Sequence, residues 1–110
     1  MPDYDSRWVS VKTGSDVKWW IRMKAKIDTG AARCSIDDSL ARALRLPLIG
    51  TVKVKNAMGK QIRPLYETTF RIGSKKYTVQ LSGANREALA TPLLIGQDLI
   101  KILNSESSKP

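Results

Sequence analysis

Histidine does not occur among the 110 residues, and cysteine occurs once. Without an imidazole, Ser-His-Asp and Cys-His nucleophilic machinery is excluded, because both use histidine as the general base. One cysteine and no histidine cannot build an ordinary tetrahedral zinc site. The ten Asp and Glu do not cluster at the ligand spacing of a hard-cation site. No metal and no cofactor is therefore expected. Cys34 has no partner for an intrachain disulfide, so a reducing cytoplasm is the expected location. No apolar run approaches the length of a membrane span. The opening "MPDYDSRW" has neither the basic start nor the apolar stretch of a signal peptide, so neither membrane insertion nor export is expected.

Acid is also scarce: 19 Lys and Arg against 10 Asp and Glu leave a net charge of +9. Such a balance serves solubility and solvated strand faces. It also suits an acidic polypeptide or a nucleic acid as partner. What is present is otherwise globular, with 42% hydrophobic residues, enough for one domain with a modest core. A single domain is expected over residues 1–103, followed by a tail over 104–110, "NSESSKP", that is disordered by composition.

The chain reads mostly as strands. "RWVSV" (7–11) predicts a first strand, followed by the turn residues "KTGSD". In "VKWWIRMKAKI", Ile21, Met23, Ala25 and Ile27 alternate with Arg22, Lys24 and Lys26, the period of a half-buried antiparallel strand. Asp37 or Asp38 can cap a short helix over 39–46, which Pro47 ends. Residues 51–72 predict a long hairpin with its tip near 56–60. Gly59 supplies a positive φ there, and Pro64 marks an edge or a bulge. "YTVQL" is a further strand, residues 82–91 a polar loop, and "PLLIGQDLIKIL" an apolar burst that turns helical. Adjacent Trp19 and Trp20 point to opposite strand faces, one into the core and the other outward as a ligand or interface anchor.

The chemistry-bearing stretch is Ile27-Asp28-Thr29-Gly30-Ala31, which places a carboxylate where a strand leaves its sheet. The tripeptide alone would arise by chance in roughly one chain in fifty of this size, and Asp-x-Gly is also a common turn. About 65 residues later "LLIGQDLI" (93–100) supplies branched apolar residues, a glycine and a helix. With both features in this order, the sequence resembles the retropepsin-like aspartic proteases over roughly 19–103. It is closest to a bacterial subgroup known as ATP-dependent zinc proteases, whose pattern is matched by Lys24–Ala31, Val54–Pro64, Arg86 and Pro92–Gly96. The zinc of that name has no support in a chain without histidine.

The resemblance implies an all-β, closed barrel of the retropepsin (acid protease) type with one or two short helices. It implies an aspartic endopeptidase that hydrolyses peptide bonds, with Asp28, Thr29 and Gly30 as the catalytic residues. Two carboxylates held close together share a proton. One then acts as base on water while the other polarises the scissile carbonyl. One Asp-Thr-Gly supplies one carboxylate, so catalysis requires a homodimer. Ala31 would keep the floor of the site small, and the hairpin would act as a flap. Ala31, Lys55, Met58, Gly59, Lys60, Arg63 and Arg86 are the expected substrate-binding residues, although Arg86 also reads as an ordinary surface arginine. The basic flap favours an acidic substrate. Glutamate-rich tails fit, since the subgroup is associated with a ligase that adds glutamates.

Two positions depart from the resemblance. Retropepsins commonly pair an acid two residues after the glycine with an arginine after the later apolar-Gly; here these are Ala32 and Gln97. Arg33 and Asp98 offer a substitute of reversed polarity. The alternative functions are a non-catalytic binding or assembly domain of the same fold and, less favoured, a basic β-domain whose Trp19, Trp20 and lysines bind nucleic acid. Cys34 reads as a small buried loop residue.

Overall fold

Alternating apolar and basic residues give the first two strands one inward face each. The structure, a computed structural model, describes residues 6–15, 19–56, 59–84 and 91–107. In chain order the elements are β1 (Ser6–Lys12), β2 (Trp20–Ile27), β3 (Ser35–Asp37), α1 (Asp38–Ala43), β4 (Leu48–Asn56), β5 (Gly59–Ile72), β6 (Lys75–Ala84), β7 (Leu93–Ile95) and α2 (Gln97–Ser107). Val9 and Val11 of β1 and Met23 and Ala25 of β2 are buried, while Trp8, Arg22 and Lys26 face outward.

Six strands close into a ring, β1-β2-β7-β3-β6-β5, with β5 returning to β1 through Ser10↔Arg71 and Val11↔Phe70. Pairing is mostly antiparallel; the exceptions are β2 with β7 and β3 with β6. Closure leaves the ring without an open edge, and its interior is filled by Phe70, Ile36, Leu81, Leu93 and Ile95, all fully buried. The expected closed β-barrel with one or two short helices is therefore the observed architecture, with two helices present among the described residues.

The β4 strand lies outside the ring and pairs only with β5. Half of β5 serves the barrel: residues 65–72 pair with β6, whereas residues 59–64 pair only with β4. Pro64, which has no N–H to donate, stands where β5 has left β6, and the β4 register shifts nearby between Leu48 and Gly50. Gly59 has φ +116°, as its place at the hairpin tip predicts.

Asp37 caps α1, its carboxylate accepting the Leu40 N–H at 3.1 Å. Asp38 takes the Tyr66 hydroxyl at 2.6 Å and the Arg42 guanidinium at 3.2 Å, tying the helix to the barrel. Replacing Tyr66 with phenylalanine should cost about 1.5 kcal/mol, the scale of a hydrogen bond to a charged acceptor. A denaturant midpoint shift with unchanged slope measures it.

Three expectations need correction. Residues 82–84 are not loop but the end of β6, pairing with β3. Gly83 fits there because a Cβ would lie 2.5 Å from the Asp38 carboxylate. Residues 104–107, expected in a disordered tail, continue α2, whose last turn is held by Glu106 contacts to the Tyr77 hydroxyl and Lys75. Neither Trp19 nor Trp20 is core: Trp19 is 59% exposed, and Trp20 lies half-buried on the outer face under Arg71. Phe70 and Tyr66, from β5, supply the buried rings instead.

Candidate active site

Strand β2 delivers Asp28 to the barrel end. Its parallel pairing with β7 runs through Ile27↔Ile95, and the Asp28 N–H adds one more rung to the Ile95 carbonyl at 2.9 Å. The chain then turns on the aspartate itself. Asp28 Oδ1 accepts the Gly30 N–H at 2.9 Å, and the Asp28 carbonyl accepts the Ala31 N–H at 3.2 Å. The carboxylate is thereby oriented by its own loop, half-buried, with Thr29 and Gly30 exposed beside it. Gly30 has room for a Cβ at ordinary contact, 3.4 Å from Asp28 Oδ1. Its contribution within one subunit is the N–H, which any residue but proline could donate.

The remainder of the loop is fastened to the start of α2. The first N–H groups of a helix lack partners within it. Here the Gln97 N–H donates to the Ala31 carbonyl at 2.8 Å and the Asp98 N–H to the Ala32 carbonyl at 3.2 Å. The Gln97 side chain adds a bond from Nε2 to the Thr29 carbonyl at 2.9 Å. Asp98 receives the Cys34 N–H at 3.1 Å and the Cys34 thiol at 3.1 Å. Beneath them Gly96 is buried against the Arg33 backbone, where a Cβ would approach within 2.6 Å. The apolar-apolar-Gly segment thus packs under the Asp-Thr-Gly loop, as the resemblance implies.

The reversed pair of Arg33 and Asp98 does not form; the Asp98 carboxylate is occupied by Cys34. Gln97 instead binds the loop backbone directly, a role that an amide can fill because it donates without needing a counter-charge. Sequence reasoning missed this function of Gln97 and Asp98. Their signal was weak: two polar residues directly after the glycine, on the first turn of the predicted helix.

Cys34 is fully buried, and its thiol is pushed up to about 12, first by burial and then by its hydrogen bond to the Asp98 carboxylate. The thiol therefore stays protonated and inert in the native state near neutral pH. The native pKa lies above the unfolded value of 9.0, so the native state holds this proton where the unfolded chain has lost it. The stabilisation is complete below pH 9 and is lost as pH rises toward 12, at up to about 1.4 kcal/mol per pH unit. Tyr66, raised to about 12 by burial and by Asp38, pushes in the same direction. Melting temperature should fall across this window, and a Cys34→Ala variant should show a shallower fall.

A cleft of about 480 Å³ opens between the loop and the β4–β5 hairpin. Gly30, Ala31, Ala32 and Arg33 form one wall, Lys53, Val54, Lys55 and Arg63 the other, with Ser35, Ser82 and Leu94 behind. Among the described residues four cations and no carboxylate line it, so the field of these residues favours negative charge. Gln61 accepts from Arg63 Nε and Nη2 at 3.2 and 2.9 Å and fixes that guanidinium. Of the expected substrate-binding residues, Ala31, Lys55 and Arg63 meet here. Gly59 and Lys60 are exposed at the hairpin tip and do not line the cleft. Met58 and Arg86 lie outside the described residues. Arg33, Lys53 and Ser82 line the cleft but were not expected to bind substrate. Among the described residues no cluster of three His, Cys, Asp or Glu is placed to hold a metal, and no helix is long and apolar enough to cross a membrane.

By sequence, no family model and no curated protein matches the chain. By fold, it is similar to the simian foamy virus (mac) protease, with a TM-score of 0.63 at 18% identity, covering 96% of this chain and 98% of that one. It is similar to Lpg0085 of Legionella pneumophila, a protein of unknown function (DUF785), with a TM-score of 0.52, 21% identity, and coverage of 89% and 87%. It is also similar to the foamy viral protease–reverse transcriptase in complex with an RNA/DNA hybrid, with a TM-score of 0.59 at 14% identity, covering 87% of this chain and 12% of that chain. At these identities the likeness concerns the fold, which is retropepsin-like, and does not reach the bacterial subgroup.

Proposed function

We propose that two copies of this chain form an aspartic endopeptidase, with Asp28 of each subunit facing the other across a twofold axis. The observation that carries this reading is the placement of Asp28 on a retropepsin-like barrel. The carboxylate is oriented by the Gly30 N–H, on a loop pinned to α2 by Gln97 and Asp98; the loop residues that follow, Gly30 to Arg33, wall an open cleft. In the dimer the ionised aspartate takes a proton from water while its protonated partner polarises the scissile carbonyl. Thr29 and Gly30 support the pair. The β4–β5 hairpin closes over the bound chain and excludes water. Similarity to the bacterial subgroup remains part of this proposal, resting on the sequence pattern, and the cytoplasm is the compartment that fits a lone buried thiol.

The substrate on this reading is an acidic polypeptide. Arg33, Lys53, Lys55 and Arg63 line the cleft, and a chain carrying glutamates would be drawn in and oriented by them. Sedimentation velocity should find a dimer, at least with a peptide inhibitor present, and a strictly monomeric chain would remove the second carboxylate and the mechanism with it. With acidic peptides, KM should rise steeply between low and physiological salt while kcat changes little, because screening weakens capture more than chemistry. Equal cleavage of acidic and basic peptides would refute the assignment of substrate class.

A further inference from the structure

The chain has three tryptophans, and none is in the core. Trp8 is 53% exposed and Trp19 59% exposed, although tryptophan is on average a highly buried residue. Trp8 and Trp20 lie on the outer barrel face made by β2, β1, β5 and β6. Arg22 stands 4.5 Å from the Trp8 ring centroid and Arg71 4.8 Å from that of Trp20, with Lys24 and Lys76 beside them at 5.8 and 5.7 Å. Register places the cations in a row across four strands: Arg22↔Ser10, Ser10↔Arg71, Arg71↔Lys76. At strand spacing this row extends about 15 Å. The four strands carry one acid, Glu67, whose pairing with Gln80 lies four residues along β5 from the row.

We propose that this face binds single-stranded nucleic acid without sequence preference. Charge complementarity requires a polyanion, and the rings choose among polyanions. An acidic peptide offers carboxylates to the row but no planar group to set against exposed indoles. A single strand offers both, phosphates to Arg22, Arg71 and Lys76 and bases to the exposed Trp8 indole and to the guanidinium groups that lie over Trp8 and Trp20. Arg71 is fitted to this role: it is exposed, and its contact with the Trp20 ring restrains the side chain. The face is separate from the cleft. Asp28 follows the far end of β2, roughly 25 Å along the strand from Trp20 and roughly 13 Å from Lys24, which pairs with Trp8, so a nucleic acid running across the strands along the row leaves the cleft open.

The test is fluorescence anisotropy with a labelled oligothymidylate of about 20 nucleotides, titrated over a salt series, together with intrinsic tryptophan fluorescence. The full chain should bind with affinity that falls linearly in log salt, and binding should quench the tryptophans. The surface variant Arg22→Gln/Arg71→Gln/Lys76→Gln should lose about tenfold or more in affinity and about two from the salt slope. Trp8→Ala should weaken binding by about tenfold through lost stacking, and Asp28→Asn should leave it unchanged. Binding that survives the triple variant but falls with Lys53→Gln/Lys55→Gln would place the nucleic acid in the cleft and overturn the proposal. Displacement of the oligonucleotide by an equal concentration of polyglutamate of matching length would assign the face to acidic polypeptide and overturn it equally.

Discussion

Asp28→Asn is expected to abolish peptide hydrolysis while leaving the fold intact. Asparagine is nearly isosteric with aspartate and keeps an Oδ1 to accept the Gly30 N–H, so the turn that orients position 28 survives. What disappears is the carboxyl group on both subunits of the proposed dimer, and with it the one proton that the pair would share and pass to and from substrate. Loss of the acid–base pair should lower kcat by at least about 10³-fold, with little change in melting temperature. A library of diverse peptides, digested by wild type and variant from acidic to neutral pH, measures both the activity and its dependence on this residue. Hydrolysis retained in the variant at wild-type rates would sink the mechanism. Asp28→Ala is the less informative change, because it also strands the Gly30 N–H.

Gly96→Ala is expected to have the largest structural effect of a single added carbon near the site. The new Cβ would lie 2.6 Å from the carbonyl carbon and oxygen of Arg33, and these are backbone atoms, which cannot swing aside as a flexible side chain would. The φ of Gly96 is not positive, so the cost is steric. Overpacking of this kind costs about 3 kcal/mol, a fall in melting temperature on the order of 10 °C. If the fold persists, the loop must lift off α2, and the bonds from Gln97 and Asp98 to Ala31 and Ala32 lengthen or break. Activity should then fall further than stability alone predicts. A crystal structure of the variant with the loop unmoved, and a melting temperature like wild type, would show that the contact is softer than the geometry implies.

The strand-end position of Asp28 was legible because period-two alternation in β2 is strong and stops at the aspartate. The seat beneath the loop was legible in "LLIG", where branched apolar residues followed by glycine leave few alternatives to a buried strand and a close backbone approach. Closure of the barrel was not readable from periodicity. It depends on the register of Val11 against Phe70, residues 59 positions apart whose alternation allows many pairings. The tryptophans misled because alternation was carried past the strand: β2 begins at Trp20, which shares the outward parity of Arg22, and Trp19 precedes the strand, so its inward parity does not bury it. Gln97 and Asp98 were invisible as loop anchors because their partners are backbone groups, which every sequence possesses. Helix α2 ran past its expected end because Glu106 finds Tyr77 and Lys75, contacts that composition does not encode.

The bonds between the Asp28 loop and α2 all lie within one chain. Each subunit of the proposed enzyme thus folds with its half-site already ordered, and assembly need not bear the conformational entropy of organising it. Association then becomes a matter of mass action between finished halves. Below the dissociation constant the amount of active enzyme would grow as the square of the subunit concentration. For such a protein, abundance itself would be the switch, steeper than any linear control of synthesis and independent of a dedicated activator.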